Sequence, residues 1–239
     1  MARAAVQTVG GAAYLAALLA VDRHATYPQQ IGLGVLTWLV LLGALLRVPV
    51  ERRIQALGVV AFATVGEVTG SLIWGVYHYR LHNLPLFVPP GHGLVYLAAV
   101  LVGTSATVTR RPLVPLVVLV LATAWAVGGL ALPVHPDTLG ALLFVSFAAF
   151  ILRGRYPGVY TAAFVLTAGL ELYGTRLGTW RWAAHDPTGL LSAANPPSGI
   201  PGGYCWLDFW ALALAPYAYA LLVRAGIALR LRPAPAAPS

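Results

Sequence analysis

The chain has 239 residues, 59% of them hydrophobic and 9% charged, with a formal charge of +8. A soluble globular domain carries roughly a quarter charged residues, so this composition excludes one and points to an integral membrane protein. The positive charge is arginine alone, and its placement fits membrane topology better than nucleic-acid binding, so no nucleic-acid partner is expected.

In chain order, eight apolar segments are predicted to cross the membrane: 4–21, 31–49, 55–76, 93–109, 112–132, 138–152, 157–175 and 205–223. A helix rising about 1.5 Å per residue needs about 20 residues to span about 30 Å of hydrocarbon, and it alone satisfies its own backbone there. The sixth segment is the shortest. The first follows Arg3 as a secretory signal would, but no small-residue cleavage site succeeds it, and it is read as a span. The expected fold class is therefore all-α, a polytopic membrane protein of about eight transmembrane helices.

A cytoplasmic N-terminus puts Arg3, Arg47, Arg52, Arg53, Arg110, Arg111, Arg153, Arg155, Arg224, Arg230 and Arg232 inside. Only Arg23, Arg80, Arg176 and Arg181 then lie outside, as the positive-inside rule requires. The expectation is a multi-pass protein of the plasma membrane with both termini cytoplasmic and the lipid bilayer as its partner. The tail RLRPAPAAPS, 230–239, reads as disordered, and the single Cys205 permits no internal disulfide.

The third segment runs into GEVTGSLIWGVYHYRLH, 66–82, which has a partner at ELYGTRLGTWRWAAH, 171–185. Glu67 matches Glu171 and Gly70 matches Gly174. After a one-residue difference, Gly75 matches Gly178, Tyr77 matches Trp180, Tyr79 matches Trp182 and His82 matches His185. Pro89 and Pro90 then align with Pro196 and Pro197, and His24 aligns with His135. The matched residues are the rare types in this chain. Two parallel four-helix repeats are expected, 1–111 and 112–229, followed by the tail 230–239.

Glu67 lies about ten residues from the outer end of its span, hence about 15 Å deep. An ionised carboxylate there costs several kcal/mol, so the group is protonated, paired or beside an internal cavity. The competing structural role is a helix-packing hydrogen bond. Gly70 and Gly174 share the acids' helix faces, either to bring a backbone close or to leave room for something flat. The alternating rings read equally as an interfacial aromatic belt or as walls that stabilise a cation. All six histidines, His24, His78, His82, His92, His135 and His185, fall at the outer ends of spans or in loops, with Asp186 and Asp208 on the same side. The Pro- and Gly-rich loops 82–93 and 185–208 are expected to fold back and roof a cavity.

These residues resemble the integral membrane carotenoid biosynthesis proteins, which include carotenoid 1,2-hydratases of the bisanhydrobacterioruberin hydratase type and are distantly akin to membrane lycopene cyclases. The resemblance is carried by Glu67, Gly70, Gly75, Tyr77, Tyr79, Pro85 and Pro89, then Trp180, Trp182, Asn195 and Gly199, about a quarter of the chain. It implies acid chemistry on an isoprenoid alkene. On that footing Glu67, Glu171, Asp208, His82 and His185 are the expected catalytic groups, and Trp74, Tyr77, Tyr79, His92, Trp180, Trp182, Asn195 and Tyr204 the expected substrate contacts. The ligand is a hydrophobic isoprenoid-like lipid, with no cofactor. Hydratase, cyclase and isomerase share this design.

Two further readings stay open. One is a non-enzymatic transporter or lipid-binding protein, with buried acids carrying protons. The other is a metal-dependent membrane hydrolase or oxidase, in which His78 and His82 share a helix face and His92 completes the site.

Overall fold

The computed structural model describes residues 2–132 and 134–224, with side chains from residue 8 onward, so the expected disorder of 230–239 lies outside the described residues. The chain is mostly helical. Helices α1 (Ala2–Asp22), α2 (Tyr27–Leu45) and α3 (Val50–Glu67) come first, and α3 continues as a π-helical turn over Val68–Trp74. A short strand β1 (Tyr77–Tyr79) leads to α4 (Val88–Gly103) and the single turn α5 (Ala106–Thr109). Then follow α6 (Leu113–Leu130), α7 (Thr138–Arg153), α8 (Pro157–Leu177), β2 (Trp180–Trp182) and α9 (Ile200–Arg224).

Each of the eight expected apolar segments contains a helix, but by length and apolarity four helices suffice to cross a membrane: Tyr27–Leu45, Val50–Trp74, Leu113–Leu130 and Ile200–Arg224. Three shorter apolar helices cover Thr8–Asp22, Val88–Gly103 and Thr138–Arg153. Many large apolar side chains face outward, among them Leu39, Ile73, Val120 and Val145. A water-facing surface of that kind would be a continuous apolar patch, whereas lipid accepts it.

Two boundaries move earlier than expected, for one reason. Pro89, Pro90 and Pro201 look like loop residues, yet proline in the first helical turn gives up an N–H that has no partner there and presets φ. So α4 starts at Val88 and α9 at Ile200, drawing His92 and Tyr204 out of the loops and into first turns. The loop preceding α9 is stitched to α7 by Asp137. Its Oδ1 accepts from the Gly140 and Ala194 N–H groups at 3.1 and 3.0 Å, and its Oδ2 from the Ser198 N–H at 2.6 Å.

The interior is built by α3, α4, α8 and α9. Helix α4 packs on α8 and α3 on α9, while α3 also packs on α4 and α8 on α9. Helices α1 and α2 flank α4, and α6 and α7 flank α8, with α7 also on α9. Strands β1 and β2 pair antiparallel, with Tyr77 opposite Trp182, His78 opposite Arg181 and Tyr79 opposite Trp180. The ladder is extended at both ends by matching bonds, Arg80 N–H to Thr179 O and Ala183 N–H to Val76 O, each 3.0 Å.

Candidate functional site

The acid helices deliver their strands by the same local device. The π turn ends at Gly75 (φ 77°) and α8 ends at Gly178 (φ 75°), left-handed positions that glycine takes without a Cβ penalty. Between acid and glycine the stretch 67–75 has one residue more than 171–178. The π-helical turn absorbs it, since such turns are single-residue expansions of an α-helix. Both strands then leave their helices in equivalent positions.

With a two-residue period, β1 and β2 point their rings one way and His78 and Arg181 the other. The inward rings clamp the acids. Tyr77 and Tyr79 hydroxyls donate to Glu67 Oε2 at 2.5 and 2.6 Å. The indole N–H groups of Trp180 and Trp182 donate to Glu171 Oε2 at 2.9 and 3.2 Å. Gly70 and Gly174 leave room for something flat, and it is these rings. A Cβ at Gly70 would stand 2.8 Å from Tyr77 Cε1, and one at Gly174 only 2.0 Å from the Trp180 ring.

Glu67 Oε1 faces His92 Nε2 at 3.3 Å, and His92 Nδ1 lies 2.9 Å from the Val88 carbonyl. The His92 ring stacks on Tyr204, centroids 5.2 Å apart. Tyr204 lines the same cavity as both carboxyl groups. All of these groups line one cavity of about 510 Å³, completed by Leu15, Leu18 and Leu19 of α1, Leu139 and Leu143 of α7, and Asp186 and Leu191 of the loop after β2. That loop roofs the chamber, as does the start of α4 through Phe87 and Val88. Exposed Gly66, Thr69 and Trp74 also line it, so it reaches the outer surface of α3 and its π turn.

Of the residues singled out from sequence, the fold brings together Glu67, Glu171, Trp74, Tyr77, Tyr79, His92, Trp180, Trp182 and Tyr204. Asp208 is buried but does not line the cavity, and among the described residues its Oδ2 has no hydrogen-bond partner. Asn195 stands behind the strand pair, where its Oδ1 accepts the Trp182 N–H at 3.0 Å. His82 and His185 lie outside the cavity lining altogether. The leucines of α1 escaped notice, although their i, i+3, i+4 spacing is the pattern of one helix face.

Outside the strand pair lies a second basin of about 910 Å³, lined by His78, Arg80, His82, His135 and Arg181. His78 sits on a strand and His82 in the following turn, so they do not share a helix face, and His92 is on the opposite side among the acids. The three therefore do not converge. Among the described residues no three His, Cys, Asp or Glu side chains are grouped to hold a metal ion. Arg80 instead ties β1 to the end of α1, donating to the Asp22 and Ala25 carbonyls at 2.6 Å each.

Pro89 and Pro90 open α4, whereas Pro196 and Pro197 precede α9, whose first residues are IPGGYC, 200–205; His92 and Tyr204 stand at the same position, the fifth, in their helices.

Fold and site together define a helical protein with long apolar helices enclosing an apolar, two-carboxylate chamber. No protein-family model matches the chain, and neither a curated protein nor a solved structure shows significant similarity to it.

Proposed function

We propose that this chain is a membrane enzyme that protonates a carbon–carbon double bond of an isoprenoid lipid, as the carotenoid hydratases and cyclases that its motifs resemble do. The observation that carries this reading is that Glu67 and Glu171 face one apolar cavity walled by Tyr77, Tyr79, Trp180 and Trp182. A hydrocarbon offers nothing for a polar site to grip, so an apolar chamber suits it, and its π electrons need a desolvated proton donor. In the reaction the alkene π pair forms a C–H bond with the proton of a carboxylic acid. The O–H pair stays on the carboxylate, and a tertiary cation remains. Ring faces beside it stabilise the cation by about 0.5–2 kcal/mol each. The cation then ends in one of two ways: water adds and loses a proton, giving a tertiary alcohol, or a neighbouring C–H gives up its proton, giving an isomer or a ring.

Within the same proposal all eight long helices cross the plasma membrane as two parallel copies, 1–111 and 112–229, with both termini cytoplasmic. Three features support the duplication: the exchanged packing of α3 on α9 and α8 on α4, the antiparallel pairing of β1 with β2, and the paired acid clamps. A two-fold axis along the membrane normal turns one strand into its antiparallel neighbour.

A second reading, transport or lipid binding without chemistry, is favoured by the cavity's reach to exposed Gly66, Thr69 and Trp74. Expression in a host that accumulates acyclic carotenoids separates the two. A pigment heavier by one water, or of equal mass and shifted retention, is expected and must vanish in Glu171→Gln. Unaltered pigments across several acyclic substrates would overturn the enzymatic proposal in favour of the second.

A further inference from the structure

We infer that Glu67 and His92 hold one proton between them and form a base arm, opposite an acid arm at Glu171. The division of roles rests on the reaction proposed above, whereas the shared proton does not. The Val88 carbonyl can only accept, so His92 Nδ1, 2.9 Å away, carries a hydrogen and donates it. Nε2 is then the nitrogen facing Glu67 Oε1 at 3.3 Å. Oε2 is already occupied by two phenol donors. A bare Nε2 against a bare carboxylate oxygen would set lone pair against lone pair, so a proton lies on the line between them, and that line holds only one. Drawn as acid with imidazole or as carboxylate with imidazolium, the pair is neutral, which suits groups each about 8% exposed.

Glu171 differs because its donors differ. Indole N–H groups donate and never accept, so Oε2 is fixed as an acceptor and a proton on this carboxyl sits on Oε1. Among the described residues it has no ion-pair partner to take that proton. Phenols both donate and accept, so Tyr77 and Tyr79 can relay a proton to or from Glu67, whereas Trp180 and Trp182 hold Glu171 without exchanging. Glu171 therefore gives the proton to the alkene and becomes a carboxylate. The Glu67–His92 pair takes the proton released when the cation ends, becoming a carboxylic acid beside an imidazolium. One arm loses a charge that the other gains, so the chamber keeps its net charge through the reaction. Tyr204, stacked on His92 in the cavity that both carboxyl groups line, lies on the return path that resets the arms.

The test uses the full chain in lipid bilayers with ¹⁵N-labelled histidine, the His92 signal being identified by its loss in His92→Asn. Solid-state NMR is expected to find Nδ1 protonated and Nε2 intermediate between protonated and bare, moving to a bare nitrogen in Glu67→Gln. An unprotonated Nδ1, or an Nε2 signal indifferent to Glu67→Gln, would overturn the shared proton. In the pigment-converting host, Glu171→Gln is expected to stop substrate consumption. Glu67→Gln and His92→Asn are expected to keep consuming substrate while their main product falls ~100-fold relative to side products, the scale of a lost general base. The reverse pattern would overturn the roles. A wild type that leaves every pigment unchanged would overturn the roles with the reaction itself, and the NMR result would still decide the shared proton.

Discussion

His92 and Tyr204 stack face to face, ring planes 8° apart and centroids 5.2 Å apart, and each is the fifth residue of its helix, α4 and α9. The contact joins the two halves of the chain at the point where their chemistry diverges. An imidazole that can hold a proton beside Glu67 faces a phenol in the cavity that Glu171 also lines. Aromatic stacking adds about 0.5–1.5 kcal/mol beyond the area it buries. Tyr204→Phe keeps the ring and is expected to leave the thermal midpoint in detergent within a degree or two of wild type. Tyr204→Leu removes the stack and lowers it by several degrees. Equal midpoints for the two variants would show that the stack adds nothing to stability.

Gly70 and Gly174 stand where ring edges press on the acid helices. Alanine at Gly174 would place its Cβ within the Trp180 ring contact at 2.0 Å, against 2.8 Å from Tyr77 at Gly70. Neither ring can retreat without breaking its bond to the acid. Both variants should lose about 1–3 kcal/mol of stability, Gly174→Ala the more. Thermal unfolding followed by near-UV circular dichroism measures both losses, and an undisturbed aromatic spectrum in Gly174→Ala would refute the close packing.

The acids and their rings were legible in the sequence because Glu is scarce in this chain and an acid followed by two alternating rings recurs in order at 67–79 and 171–182. The strand pair was not, since three residues are too few for a periodicity to register. His92 and Tyr204 were hidden as partners for two reasons. They are chemically unlike, and the connection before α9 is longer than the one before α4, so the Pro-Pro pairs drew the comparison, whereas it is Pro201 that stands, like Pro89, in the first turn of a helix. Asp208 showed the opposite error: an acid in a span suggested the cavity, but α9 lines it with Gly203, Tyr204 and Leu207, and Asp208, one turn beyond Tyr204, is buried without reaching it.

The π turn makes a separable prediction. Helix α8 reaches β2 from Glu171 with one residue fewer and no π turn, so the stretch from Glu67 to β1 has a residue to spare. Ile73 is 75% exposed and is not among the residues that line the cavity. Its deletion should convert the turn to α-helix and keep Tyr77 opposite Trp182. Deletion of Leu172 in α8, also exposed at 50%, has no such slack and shifts β2 by one, turning Trp180 and Trp182 away from Glu171. Folded yield by size-exclusion chromatography should survive the first deletion and collapse with the second. Equal collapse would mean that the π turn is needed for the fold itself.

The roof of the chamber has its own pH dependence. Asp186 Oδ1 accepts the Leu191 N–H at 2.7 Å, and Oδ2 accepts the Thr188 N–H at 3.1 Å together with the Thr188 hydroxyl. The Thr188 hydroxyl first, then the Leu191 N–H, hold this carboxyl below the ordinary carboxylate range. A folded value below the unfolded one, about 3.9, gives stability that is complete above that pH and is lost as pH falls through the folded value. Asn at this position keeps one acceptor oxygen and turns an NH₂ group against the remaining donors. Wild type should therefore melt above Asp186→Asn at pH 7 and at pH 5, and the gap should close as the pH drops below about 4. Because Asp186 and Leu191 also line the cavity, the same loss loosens its cover. A gap between the two proteins that persists unchanged at pH 3 would mean that the ionised carboxylate does not hold this loop.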